Sequence, residues 1–205
     1  CDDTAAAINA IGGRATSVEL DVTSTASCDN VVKVTTDLYG NIDVLVNNAA
    51  LYGGLKGGRF DAIEVEEWER CMAVNVTGIW NCCKSVVSSM RAAGGGSIIN
   101  ISSIAGKRSS ALGGVAYSAS KFAMTALGTA VANEDAANGI RVTNVYPGEV
   151  NTPILVNRPN PVSDEHRQAI LQPEEVGELI AAIAGLPPNA HVSDVVIKPL
   201  QQQYA

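Results

Sequence analysis

Short apolar runs alternate along the chain with longer stretches whose apolar positions recur at helical spacing. Residues 5–11 read as a helix stopped by Gly12-Gly13, and 16–20 as a short strand running into Asp21-Val22-Thr23. Thr23 or Ser24 can cap the next helix, where Val31, Val34 and Leu38 share a face, and Gly40 stops it. Residues 42–46 are almost wholly apolar, the mark of a strand buried on both faces, and Asn47-Asn48 follow directly. A Gly-rich loop covers 52–59. Residues 65–93 are helical, with Trp68, Met72, Asn75 and Ile79 near one face and Gly94-Gly95-Gly96 at the end. A second buried strand, 97–101, runs into Ser102-Ser103. A helix over 116–138 closes at Gly139, and a strand over 140–145 leads to Pro147-Gly148. A polar, Pro-rich segment spans 152–172. Pro173 suits the first turn of a helix over 174–184, and 193–197 form the last strand.

Strands separated by helices imply parallel βαβ units, and right-handed crossovers then give a Rossmann-like doubly wound sheet in three α/β/α layers. There is no internal repeat and no linker, so residues 1–205 are expected to be a single α/β domain. The segment 152–172 is long for a connection and reads as a lid or binding loop. Hydrophobic residues make up 46% of the 205 positions, a globular composition, and the net charge is -7. No basic run occurs, which argues against nucleic acid and against an anionic membrane surface. No apolar stretch is long enough for a membrane helix. The five cysteines are odd in number and lack metal-ligand spacing, so no metal site is expected. Cys82 and Cys83 read as small core residues, and a reduced, cytoplasmic protein is expected.

Ligands of open parallel sheets bind beyond the carboxyl ends of the strands. Those ends carry Asp21, Asn47-Asn48, Ser102-Ser103 and Pro147-Gly148. Tyr117 and Lys121 lie four apart on a helix and share a face. A free phenol titrates near pH ~10, and a neighbouring ammonium lowers that value, so the pair can form a tuned acid/base. The same spacing also fits an amphipathic helix with an incidental pair. His166 and His191 have no motif around them, and a His-based nucleophilic triad is not supported.

The ordered motifs resemble those of the short-chain dehydrogenases/reductases. Tyr117-Ser-Ala-Ser-Lys121 is similar to that family's YxxxK, and Ser97-Ile-Ile-Asn-Ile-Ser-Ser103 with Ile-Ala-Gly106 to the strand bearing its catalytic serine. Asn47-Asn48-Ala49-Ala50 resembles NNAG, and Asp21-Val22-Thr23 the adenine-contacting segment. Asn75-Val-Thr-Gly78 resembles the helix motif with a structural and catalytic Asn, and Pro147-Gly148-Glu-Val150-Asn-Thr152 the segment beside the nicotinamide.

The resemblance implies hydride transfer between NAD or NADP and a small carbonyl or secondary alcohol. In it Ser103 polarises the substrate oxygen and Tyr117 is the acid/base. Lys121 lowers the tyrosine pKa and binds the nicotinamide ribose, while Asn75 bends its helix and positions a relay water. Ser102 is the rival to Ser103, and the family pattern selects Ser103. Cofactor contacts fall on Asp21, Val22, Asn48, Ala49, Tyr117, Lys121, Pro147, Gly148, Val150 and Thr152. The resemblance also implies a homodimer or homotetramer. Ala50 departs from the usual Gly. The family's Gly-rich TGxxxGxG turn has no counterpart, so its first strand and helix are expected to precede Cys1, and a chain without them is expected to hold cofactor and to fold poorly. Two other readings stand beside this one: a non-redox member, such as an epimerase or dehydratase, and a non-catalytic, nucleotide-sensing scaffold.

Overall fold

Hydroxyl, acidic and glycine residues set the first element boundaries of the computed structural model, which describes residues 1–52, 60–109, 113–157 and 162–202. Helix α1 (Asp2–Ala10) has two aspartates in its first turn, where the positive end of the helix dipole favours them. Helix α2 (Thr25–Tyr39) is capped by Ser24, whose side chain accepts from the Ser27 N–H, and ends at Gly40 with φ 88°. Thr23 turns back instead: its N–H and hydroxyl donate to Asp21 Oδ1 at 2.9 and 2.7 Å. Between these helices residues 16–20 form no strand. A strand exists by its ladder to a neighbour, and no such neighbour lies beside 16–20 among the described residues, so alternation alone does not make one. Except for Tyr52 and its surroundings up to that residue, the 52–59 loop lies outside the described residues.

The remaining elements are β1 (Val44–Asn47), α3 (Val65–Met72), a π-helical turn (Ala73–Thr77), α4 (Gly78–Ala93), β2 (Gly96–Ile101), α5 (Val115–Asp135), β3 (Ile140–Pro147), α6 (Asp164–Ala169), α7 (Pro173–Ala184) and β4 (Asp194–Ile197). The four strands pair in parallel in the order β1-β2-β3-β4. On one face α4 and α5 lay Ile79, Cys83, Val86, Met90 and Met124 against Ile98, Ile140 and Val142. On the other, Ile183 of α7 meets Ile99 and Val145. Successive residues of a strand point to opposite faces, and Ile98 and Ile99 are both fully buried, so β2 has the two-sided burial read from its apolar run. β1 does not: Val44 and Val46 are 37% and 42% exposed. β1 is an edge of this sheet, and nothing among the described residues covers those side chains as α4 and α7 cover β2. Cys82 and Cys83 are buried free thiols, with Cys82 Sγ 3.8 Å from Cys28 Sγ. No helix among the described residues is long and apolar enough to cross a membrane.

Strand register aligns Asn47, Asn100, Asn144 and Asp194 on the four neighbouring strands. Their side chains form one directional chain across the sheet. Asn47 Nδ2 donates to Asn100 Oδ1 at 2.9 Å, Asn100 Nδ2 to Asn144 Oδ1 at 3.1 Å, and Asn144 Nδ2 to Asp194 Oδ1 at 3.3 Å. The Tyr146 hydroxyl and the Lys107 ammonium close it on Asp194 at 3.0 and 2.6 Å. Buried amides are tolerated only with partners, and this ladder supplies them from strand to strand. It therefore locks the strands one to three residues before Asn48, Ser102-Ser103 and Pro147.

Candidate active site

The carboxyl ends of the strands open into a cavity of about 630 Å3. Asn48 follows β1, Ser102 and Ser103 follow β2, and Pro147 and Gly148 stand at the end of β3. Tyr117 and Lys121 come from the first two turns of α5, and Val150 and Thr152 from the segment after β3. All of these line the cavity, whereas Asp21, Val22, Ala49 and Asn75 do not.

Ser103 has extended backbone and caps a 3-10 turn (Ile104–Gly106), its hydroxyl accepting the Ala105 N–H at 3.1 Å. The same side chain faces the Tyr117 phenol closely enough to draw its pKa down. Ser102 is more deeply buried, and its hydroxyl donates to the Lys121 carbonyl at 3.4 Å. Both serines reach the cavity, and their partners divide them: Ser103 meets the phenol and Ser102 meets backbone.

The Tyr117 ring packs on Tyr52 with centroids 4.8 Å apart. Burial pushes the Tyr117 phenol up to about 12; Ser103 opposes this, and nearby Tyr52 and Cys71 add to it. Lys121 is 1% exposed, and the same desolvation pushes its ammonium down to about 7. Its Nζ donates to the Ile101 carbonyl at 2.8 Å and stands 5.6 Å from the Tyr117 ring centroid. The expected lowering of the phenol pKa by Lys121 is thus not met in this structure. A shared helix face places the two residues together, but Lys121 Nζ reaches the Ile101 carbonyl and burial governs the phenol.

Asn75 is fully buried in the π-helical turn. The 65–93 helix is interrupted at this turn, whose wide hydrogen-bond spacing breaks the α-helical ladder. Asn75 Oδ1 accepts the Leu51 N–H and its Nδ2 donates to the Leu51 carbonyl, both at 2.7 Å. Nδ2 also donates to Ser120 Oγ at 3.0 Å, and Ser120 donates to the Tyr117 carbonyl at 2.8 Å. Asn75 therefore ties the segment after β1 to the back of the Tyr117 turn.

Asp21 and Val22 lie outside the cavity lining. Thr23, through its hydroxyl and its N–H, holds the Asp21 carboxyl below the usual carboxylate range. The Val22 carbonyl accepts from Asn81 Nδ2 at 2.9 Å. Its side chain fills the space beside Gly78, where a Cβ would stand 2.6 Å from Val22 Cγ2. The Asn75-to-Gly78 motif thus holds Leu51 and Ser120 with its asparagine and admits Val22 with its glycine.

Several residues of this framework went unread in the sequence. Tyr52 falls in the Gly-rich loop by sequence, yet its ring packs on Tyr117, and an aromatic directly after Asn47-to-Leu51 is the visible signal. Asn100 and Asn144 read only as strand residues, although an Asn inside two otherwise apolar strands marks a shared buried position. His166, which has no motif around it, is exposed on α6, with Nε2 2.7 Å from Glu149 Oε2. Among the described residues no group of three or more His, Cys, Asp or Glu could hold a metal ion.

Comparison with known proteins places this arrangement. A family model described as short chain dehydrogenase matches residues 1–162. A 2,5-dichloro-2,5-cyclohexadiene-1,4-diol dehydrogenase of Sphingobium indicum is 36% identical over 165 residues, covering 80% of this chain and 64% of the relative. A 3-alpha-(or 20-beta)-hydroxysteroid dehydrogenase of Mycobacterium tuberculosis is 38% identical over 170 residues, covering 82% of this chain and 63% of the relative. This chain thus spans somewhat less than two thirds of the length of those curated relatives. The crystal structure of a metagenomic short-chain oxidoreductase in complex with NADP superposes with a TM-score of 0.80 at 30% identity, over 98% of this chain and 81% of the other. With a family match across most of its length and relatives of this identity, the chain belongs to the short-chain dehydrogenase family.

Proposed function

We propose that this protein is an NAD(P)-dependent oxidoreductase that interconverts a small carbonyl compound and its secondary alcohol, with Tyr117 as the acid/base. The observation that carries the reading is the meeting of the Ser103 and Tyr117 side chains in one cavity with a desolvated Lys121 beneath them. At neutral pH a phenol pushed up to about 12 keeps its proton, so the site presents a proton donor, the state that carbonyl reduction requires. Ser103 and Tyr117 together offer hydroxyl donors to one substrate oxygen and stabilise charge developing on it. Lys121 stands close enough to the ring to stabilise the phenolate left after the proton departs. Asn75 acts through Leu51 and Ser120, as a positioning residue behind Tyr117.

The residues present fit a nicotinamide dinucleotide. The cavity edge offers Tyr117 and Lys121 for the ribose, Asn48 alongside it, and Pro147, Gly148, Val150 and Thr152 for the nicotinamide end. Asp21 and Val22, with Ala49 near Asn48 in sequence, suit the adenosine side. When bound, the nicotinamide supplies or accepts the hydride. The substrate class we favour is a ring-borne secondary alcohol or ketone, since both curated relatives above are named for such compounds.

Fluorescence titration with NADPH and NADH tests the reading. Saturable binding of one of them, followed by its oxidation in the presence of a cyclic ketone, is the expected outcome. Binding without oxidation of nucleotide by any ketone would favour a scaffold or non-redox member. We further propose a homodimer or homotetramer, because Trp68, Trp80 and Phe122 stand 37%, 47% and 45% exposed on α3, α4 and α5. A single-chain mass by light scattering would refute that assembly. Unbridged Cys28 and Cys82 thiols at 3.8 Å suit a reducing, cytoplasmic setting.

A further inference from the structure

One wall of the cavity is made by a residue that no motif announces. After β4 the chain turns back, with the Gln202 N–H donating to the Pro199 carbonyl at 3.0 Å and Lys198 Nζ to the Gln202 carbonyl at 2.6 Å. The turn lays the Gln202 side chain over Gly148, where a Cβ would stand 2.2 Å from Gln202 Oε1. Oε1 accepts the Glu149 N–H at 2.9 Å. That bond assigns the amide: its oxygen is committed to backbone, and its Nε2 has no acceptor among the described residues. Gln202 lines the same cavity as Ser103 and Tyr117, in company with the apolar Ile104, Ile154, Leu155 and Val176.

We propose that Gln202 is a substrate-recognition residue, whose Nε2 holds a second acceptor oxygen on a substrate whose reacting carbonyl meets Ser103 and Tyr117. This rests on the oxidoreductase reading above. A donor set in an apolar wall discriminates by what it rejects: a substrate without the second oxygen fills the pocket and leaves the N–H groups unpaired. The close approach of Oε1 to Gly148 and its bond from the Glu149 N–H hold the amide in place.

The test is a titration of the 15N-labelled protein, first with NADP+ alone, then with 1,4-cyclohexanedione or with cyclohexanone. The Gln202 side-chain NH2 signals are identified by their loss in Gln202→Met. The dione is expected to shift those signals and to bind about tenfold more tightly than cyclohexanone, the size of one net hydrogen bond. Gln202→Met is expected to bring the two affinities within about twofold of each other. The proposal is overturned if the dione shifts the Gly148 and Thr152 amides but not the Gln202 pair, or if neither ketone shifts any signal. It is equally overturned if NADP+ alone moves the pair, which would make Gln202 a cofactor contact. Turnover is not read in this titration, so a failure of hydride transfer in a parallel assay counts against the oxidoreductase reading and leaves the Gln202 result to stand or fall by itself.

Discussion

Tyr117→Phe is expected to lower kcat/KM for ketone reduction by about 10²- to 10⁴-fold, the usual contribution of a positioned general acid. The substitution removes one oxygen and leaves the ring packed on Tyr52, 4.8 Å away. Ser103 stays engaged, since its hydroxyl still accepts the Ala105 N–H, so the variant should unfold at nearly the wild-type temperature. The pH profile follows from the burial of the phenol. Reduction needs the protonated form, and a group pushed up to about 12 is protonated through the neutral and mildly alkaline range. The wild-type rate should therefore show no loss attributable to Tyr117 until the pH approaches that value. A Tyr117→Phe rate within twofold of wild type would remove the tyrosine from the chemistry. A Tyr117-dependent fall midway between neutrality and pH ~10 would mean that Lys121 leaves Ile101 for the phenol and tunes it, as the sequence spacing implies.

That contrast shows where the sequence was informative. Helical spacing and bracketing glycines located α2, α4 and α5, because a helix is written in local periodicity and its ends in Gly40 and Gly94, both at positive φ. The apolar runs located β2 and β3, and the polar residues after them brought Ser103, Tyr117, Lys121 and Pro147 to one cavity. Properties that depend on partners were not legible. Residues 16–20 have the composition of a strand but no ladder, and β1 has the composition of a central strand but lies at an edge. An i,i+4 pair fixes where two residues start, not where a long Lys side chain ends. The Asn47-to-Asp194 ladder needs the register of four strands at once, which no single strand carries. Gln202 reaches the cavity through a turn beyond the last strand, and its role appears only when Gly148 is seen beneath it.

Gly128→Ala should destabilise the protein, by about 2–4 kcal/mol, although intrinsic propensity points the other way. In the interior of a helix Ala is favoured over Gly by about 1 kcal/mol. Gly128 lies within α5 and is buried against the sheet. A Cβ there would stand 2.3 Å from Asn144 Oδ1 and 2.6 Å from Asn100 Nδ2. Neither amide can swing aside cheaply. Asn144 accepts from Asn100 and donates to Asp194, while Asn100 also accepts from Asn47. With contacts this short α5 backs away from β2 and β3, at an overpacking cost of about 1–3 kcal/mol, and the ladder loosens, leaving buried amide groups unpaired at about 1–3 kcal/mol each. Together these costs outweigh the propensity gain. For a domain of this size the loss corresponds to a fall in Tm of roughly 4–16 °C, measurable by calorimetry. Gly177→Ala on α7 is the matched control: nothing lies within 4 Å of its added Cβ, so propensity alone acts and stability should rise by up to about 1 kcal/mol. If Gly128→Ala matched that control, α5 would not be seated on the amide ladder. The strand ends would then be held in register by backbone pairing alone, and the asparagines of the apolar strands would lose their structural account.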